Sequence, residues 1–223
     1  MAIILNLETA TKTCSVALAK DGEVLAFKEL TSEQFSHAEK LNGFIEEVLT
    51  QAKLKLKELD AVAVSEGPGS YTGLRIGTST AKGLCYGLNI PLIAINSLQA
   101  LAALVNSKVD FICPMFDARR LEVYTAVYDK ELAQLEPTQA LVIDENSFAA
   151  YQNKQVLFVG PGALKCQELL NQINWSFDGK DVSALGMVPL SEAKFNQGQF
   201  EDVAYFEPSY LKDFIAGPPK KLL

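Results

Sequence analysis

The sequence predicts an α/β protein whose second half repeats the plan of its first. Three observations carry this. The chain opens on short alternating strands joined at Asp21-Gly22, and apolar strand runs then alternate with helical patterns. A strand running into Gly-Pro-Gly before a helical segment occurs twice, at Gly67-Pro68-Gly69 and at Gly160-Pro161-Gly162. The length of 223 residues accommodates one large domain or two small lobes.

The elements justify themselves in order. Ile3 to Leu7 is a short apolar strand, Cys14 to Leu18 alternates apolar and small residues, and Val24 to Leu30 resumes the alternation after Asp21-Gly22. A helix follows, with capping-box spacing at Ser36 and Glu39 or at Thr31 and Gln34. Its apolar positions Ala38, Leu41, Ile45, Val48 and Ala52 keep heptad spacing, and Phe44 and Leu49 widen the stripe. Such a stripe packs on the chain's own sheet or, where it is wide, serves a partner as well. Leu59 to Val64 is the next strand. A helix from about Thr72 to Leu88 follows it, with glycine at 73, 77, 83 and 87. Glycine inside a helix costs about 1 kcal/mol relative to alanine, so close approach of another backbone is its simplest account. Pro91 to Ile95 reads as strand and Leu98 to Val105 as helix. The second half brings strands at Phe111 to Phe116, Val123 to Tyr128, Ala140 to Ile143 and Val156 to Val159. A short helix is expected at Phe148 to Gln152, and longer ones from about Ala163 to Ile173 and from Ser191 to about Phe200. The closing Phe206 to Leu211 reads as extended, ahead of a tail containing Pro218-Pro219-Lys220-Lys221.

Composition excludes several functions. A net charge of −7 leaves no basic stripe able to grip a nucleic-acid backbone alone, so RNA is expected only through a partner. Cys14, Cys85, Cys113 and Cys166 form no CxxC pair and His37 is the only histidine, which argues against a metal site and a disulfide framework. The N-terminus lacks a basic n-region, and no apolar run approaches the roughly 20 residues that span a bilayer, so a cytoplasmic location is expected.

Few residues offer chemistry. Gly67 to Gly73 lies between a strand and a helix, where backbone N–H groups form either an anion site or only a tight turn. It matches neither GxxxxGK[ST] nor GxGxxG. Thr9 and Thr11, after the first strand, face the same choice between a phosphate loop and a hairpin corner. Asp117 and Glu122 flank Arg119 and Arg120, a pattern closer to a surface ion-pair cluster than to acid/base machinery. His37 reads as a helix-terminal surface residue. No catalytic residue, metal or cofactor is assigned.

Four blocks carry a resemblance over essentially the whole chain: Ile4 to Thr11, Gly67-Pro68-Gly69-Ser70-Tyr71-Thr72-Gly73-Leu74-Arg75-Ile76-Gly77, Asp117-Ala118-Arg119-Arg120-Leu121-Glu122-Val123-Tyr124, and Glu207-Pro208-Ser209-Tyr210-Leu211-Lys212. In this order they resemble the bacterial TsaB (YeaZ) family. The resemblance implies an actin/Hsp70/sugar-kinase (ASKHA) fold of two lobes, each a mixed sheet flanked by helices. Residues 1–100 would form the N-terminal lobe with two interface helices, 101–205 the C-terminal lobe, and 206–223 a closing segment returning to the first. It implies a non-catalytic subunit that pairs with a TsaD-like catalytic subunit and a TsaE-like ATPase. That assembly transfers threonylcarbamoyl to N6 of the adenosine beside the anticodon. The pairing surface would use Ala38, Leu41, Ile45, Val48, Ala52, Arg75, Ile76, Gly77 and Thr80, with a homodimer expected when the chain is alone. Thr9, Thr11, Gly67 and Gly69 would be vestigial phosphate loops. The TsaD-like His-x-x-x-His metal pair falls here on Ser97 and Leu101, which cannot supply imidazole. The alternative on the same fold is an ATP-dependent phosphotransferase or ATPase.

Overall fold

The computed structural model describes residues 2–32, 37–106 and 108–212. The proposed caps at Ser36 and Gln34 and the Pro-Lys tail lie outside these residues. Two five-stranded sheets share one topology. The first runs β3(Glu23–Thr31), β2(Thr13–Lys20), β1(Ile3–Glu8), β4(Ala61–Gly67), β5(Leu92–Asn96). The second runs β8(Gln134–Val142), β7(Glu122–Asp129), β6(Phe111–Asp117), β9(Val156–Val159), β10(Trp175–Asp178). In each, the first three strands are antiparallel neighbours and the last two add in parallel beside the first. The repeat read from Gly-Pro-Gly is thus a repeat of topology.

The halves differ in their outer cover. α1(His37–Ala52) and α2(Tyr71–Leu88) lie on the first sheet, and Leu41, Ile45, Val48, Ala81 and Cys85 join Leu5, Leu7 and Val62 in one core. The corresponding positions of the second half hold only 3-10 turns at Ala149–Tyr151 and Leu164–Cys166. The helix expected over 163–173 is therefore absent. Its buried positions Ala163, Cys166 and Leu170 do face the core, but the backbone reaches them largely through i→i+3 bonds such as Cys166 to Ala163 and Gln167 to Leu164.

Two helices fill the space between the sheets. α3(Ser97–Ala103), from the first half, packs on β6 and β7, whereas α4(Ala184–Asn196), from the second half, packs on β1, β2 and β5. They cross where a Cβ on Gly186 would lie 2.0 Å from the Ala100 carbonyl oxygen, so only glycine fits there. α4 starts well before the Ser191 expected from sequence, because Gly186 and Pro189 disguise its first turns. Ser183 caps it, accepting from the Leu185 N–H, and the Ala184 N–H donates to Ser15 Oγ at 2.7 Å.

Beyond α4 the chain returns to the first sheet. Glu201 bridges to Leu92, Lys82 Nζ donates to the Ala204 and Phe206 carbonyls, and the Ser209 N–H donates to the Glu66 carbonyl at 2.7 Å. No helix among the described residues is long and apolar enough to cross a membrane.

Candidate functional site

Open α/β sheets gather ligands at the carboxyl ends of their parallel strands. Here β1 ends in Glu8 and β4 in Gly67, and the β1–β2 connection runs beneath the start of α2. Ser70 caps that helix, its Oγ accepting from the Gly73 N–H at 3.2 Å, while its own N–H donates to the Ala10 carbonyl at 2.6 Å. A Cβ on Gly69 would fall 2.4 Å from the Ala10 oxygen, one on Gly73 2.1 Å from the Thr9 oxygen, and one on Gly77 2.4 Å from Thr9 Oγ1. The backbone that approaches α2 so closely is therefore the chain's own.

Charge around this loop is acidic. Glu8 is fully buried, with Oε1 accepting from the Ala10 N–H at 2.6 Å and Oε2 without a hydrogen-bond partner within 3.5 Å among the described residues. Burial pushes its carboxyl up to about 7, and Asp181 adds to the rise. Thr11 and Thr13 donate their hydroxyls to Asp181 Oδ2 at 3.0 and 2.8 Å, tying the first hairpin to the segment that leads into α4. Thr9, Thr11, Gly67 and Gly69 are brought together; the Thr11 hydroxyl is taken up by Asp181, while the buried Thr9 Oγ1 has no hydrogen-bond partner among the described residues. A phosphate on this loop would meet the charge of Asp181.

His37 is not the surface residue that its position indicated. It is buried at the start of α1, where Nε2 lies 2.8 Å from the Thr11 carbonyl and the ring faces Gly73. Burial lowers its pKa, although the Thr11 contact works the other way. The Asp117 and Glu122 cluster is an ion-pair site, but the cations that meet it are Lys165 and Lys212. Burial pushes the Asp117 carboxyl up, and Lys165 with the Arg119 N–H outweighs this and holds it low. On α3, Ser97 and Leu101 are both buried, and Leu101 lies against Gly160.

The structure divides the residues expected on the pairing surface. Leu41, Ile45 and Val48 are 1, 6 and 0% exposed and face their own sheet, and Gly77 is sealed by Thr9. The heptad stripe is core, because its apolar side meets β2 and β3. Ala38 and Arg75 are exposed, and Ala52, Ile76 and Thr80 are half-buried. The outer surface of the pair also includes Gly43, Gly83 and Gly87, where a Cβ would meet nothing within 4 Å, and Tyr86, which is 86% exposed. The sequence reading missed Tyr86, Ser15 and Asp181.

Residues 29–216 match the family model described as TsaD, tRNA N6-adenosine threonylcarbamoyltransferase. The chain is 31% identical over 223 residues to the tRNA threonylcarbamoyladenosine biosynthesis protein TsaB of Escherichia coli K12, covering 96% of each. It is 34% identical over 215 residues to the TsaB of Bacillus subtilis 168, covering 94% of this chain and 93% of the relative. The chain belongs to the TsaB family. The TsaB fold extends to solved structures: YeaZ from Pseudomonas aeruginosa superposes with a TM-score of 0.86 at 25% identity, covering 95% of this chain and all of that one. The activator of 2-hydroxyisocaproyl-CoA dehydratase from Clostridium difficile, with a TM-score of 0.51 at 11% identity, shares the fold. The expected α/β fold of two mixed sheets is therefore borne out.

Proposed function

We infer that the chain is the non-catalytic partner subunit of a tRNA threonylcarbamoyladenosine synthase. It pairs with a TsaD-like catalytic subunit, is joined by a TsaE-like ATPase, and works in transfer of threonylcarbamoyl to N6 of the adenosine beside the anticodon. The relatives' names support the pathway, and one observation supports the mode of action. α1 and α2 bury their apolar sides in the chain's own core and still present an outer surface of open glycines around a Tyr86 exposed over 86% of its area. Exposed tyrosine beside helix backbone left clear of side chains favours docking of another helix. Asp181, bonded to Thr11 and Thr13, sets a carboxylate beside the loop where a nucleotide phosphate would sit, which favours a scaffold over an enzyme. The pairing surface on this reading contains Ala38, Ile76, Thr80, Gly83 and Tyr86, with Arg75 at its edge, and the same surface pairs two copies when the chain is alone.

The test is co-elution of the chain with the TsaD-like subunit on size exclusion. Gly83→Leu with Tyr86→Asp should abolish the shared peak without lowering the circular dichroism melting temperature. Persistence of that peak would remove this surface from the interface. Modification of tRNA by the TsaD-like and TsaE-like subunits with this chain present or omitted tests the role itself, and ATP turnover by the chain alone would favour an enzyme.

A further inference from the structure

The closing segment builds a basic edge on an acidic molecule. As it leaves α2, Tyr210 Oη lies 3.2 Å from Arg75 Nε, and the Tyr210 and Tyr71 rings stand 4.9 Å apart. The Arg75 guanidinium lies 4.1 Å from the Tyr71 ring centroid. The segment then crosses to the second sheet, where Lys212 pairs with Glu122 and holds its ammonium 5.9 Å from the Tyr124 ring. The β6–β7 connection continues the edge with exposed Arg119 and Arg120, and Lys165 beside them pairs with Asp117 and donates to the Arg120 carbonyl at 2.8 Å. Among the described residues, five cations thus share the edge with two carboxylates, both matched to lysines, in a chain whose net charge is −7. Glu207 comes before the crossing, between the contacts to Lys82 and Glu66.

The backbone supplies an independent observation. Arg119 and Arg120 have φ of 76° and 51°, the one pair of successive non-glycine residues with positive φ among the described residues. Asparagine or glycine occupies that conformation more readily, so the backbone there does not call for arginine. Strain of this kind collects where side chains serve a ligand.

We propose that this edge is an RNA-binding ridge, which meets the tRNA substrate when the subunit is in its complex. Arg119 and Arg120 take phosphates, while the partly exposed Tyr210 ring beside Arg75 offers a flat surface to an unpaired base. Basic side chains interleaved with rings are what an RNA strand needs, and tRNA is the polyanion of this reaction class. The proposal rests on the reading of the chain as a tRNA-modification subunit.

The experiment titrates a fluorescently labelled, unmodified tRNA transcript with the chain assembled with its TsaD-like and TsaE-like partners. It compares the natural chain with Arg119→Asn/Arg120→Gly, a variant that accepts the backbone better and removes both charges. We expect tRNA affinity to fall by roughly tenfold at about 0.1 M salt, and the slope of log affinity against log salt to shrink by about 1 to 2. The melting temperature should hold or rise, and co-elution with the partners should persist. Unchanged affinity and slope overturn the ridge alone. Loss of co-elution assigns the edge to protein docking and overturns it as well. A natural chain that does not assemble with those partners overturns both readings.

Discussion

Replacing Glu8 with glutamine should change how stability responds to pH, in a direction and by an amount fixed by its burial. The carboxyl is raised from 4.5 to about 7 in the folded chain. A carboxyl that titrates higher folded than unfolded favours the native state most in acid. Its contribution is lost as pH rises from about 4.5 through about 7. At about 1.4 kcal/mol for each unit, the full loss is roughly 3 kcal/mol, of which about 2 kcal/mol falls between pH values of about 5.5 and 8.5. Glutamine keeps the acceptor for the Ala10 N–H and carries no charge, so it escapes the cost of ionising in the core. Urea titrations at several pH values would measure this. The natural chain should weaken towards alkaline pH relative to Glu8→Gln by about 2 kcal/mol, and the variant should be the more stable of the two above neutrality. Two profiles that run parallel across the range would show that Glu8 titrates alike in the folded and unfolded chain, and the argument would fail.

Other perturbations test the division between core and surface. Leu41→Ala should cost about 2–5 kcal/mol in urea unfolding, because the residue is 1% exposed and faces its own sheet. Gly73→Ala and Gly83→Ala should move the thermal midpoint in opposite directions. The first drives a methyl to 2.1 Å from the Thr9 oxygen, while the second meets open space and gains about 1 kcal/mol of helix propensity. Asp181→Ala removes the acceptor of Thr11 and Thr13, and amide exchange should quicken in the β1–β2 connection and the first turn of α4 while the centre of β1 stays protected.

Much of the fold was legible because its signals are local. Alternation and Asp-Gly gave the first hairpin, and the paired Gly-Pro-Gly strands gave the repeat. What stayed hidden depends on neighbours distant in sequence. A heptad stripe looks the same whether it faces a partner or its own sheet, and Leu41, Ile45 and Val48 face the sheet. Four helical glycines looked alike too, yet Gly73 and Gly77 are pressed against Thr9 and Gly83 and Gly87 lie open. The bond from Thr11 to Asp181 spans 170 positions, so nothing near either residue announces it. α4 was displaced in the reading because Pro189 and Gly186 oppose local propensity, and burial against the first sheet decides the outcome.

The exchange of α3 and α4 between the halves binds their fates. Each half lends its last helix to the other's sheet, so a fragment ending near Ala100 would lack the cover of its own inner face, and the remainder would lack the helix on β6 and β7. Unfolding should therefore be a single event across the whole chain, and opening the space between the sheets means prying Gly186 away from Ala100. A subunit fastened in this way presents its partners with a rigid platform whose two sheets keep their relative orientation.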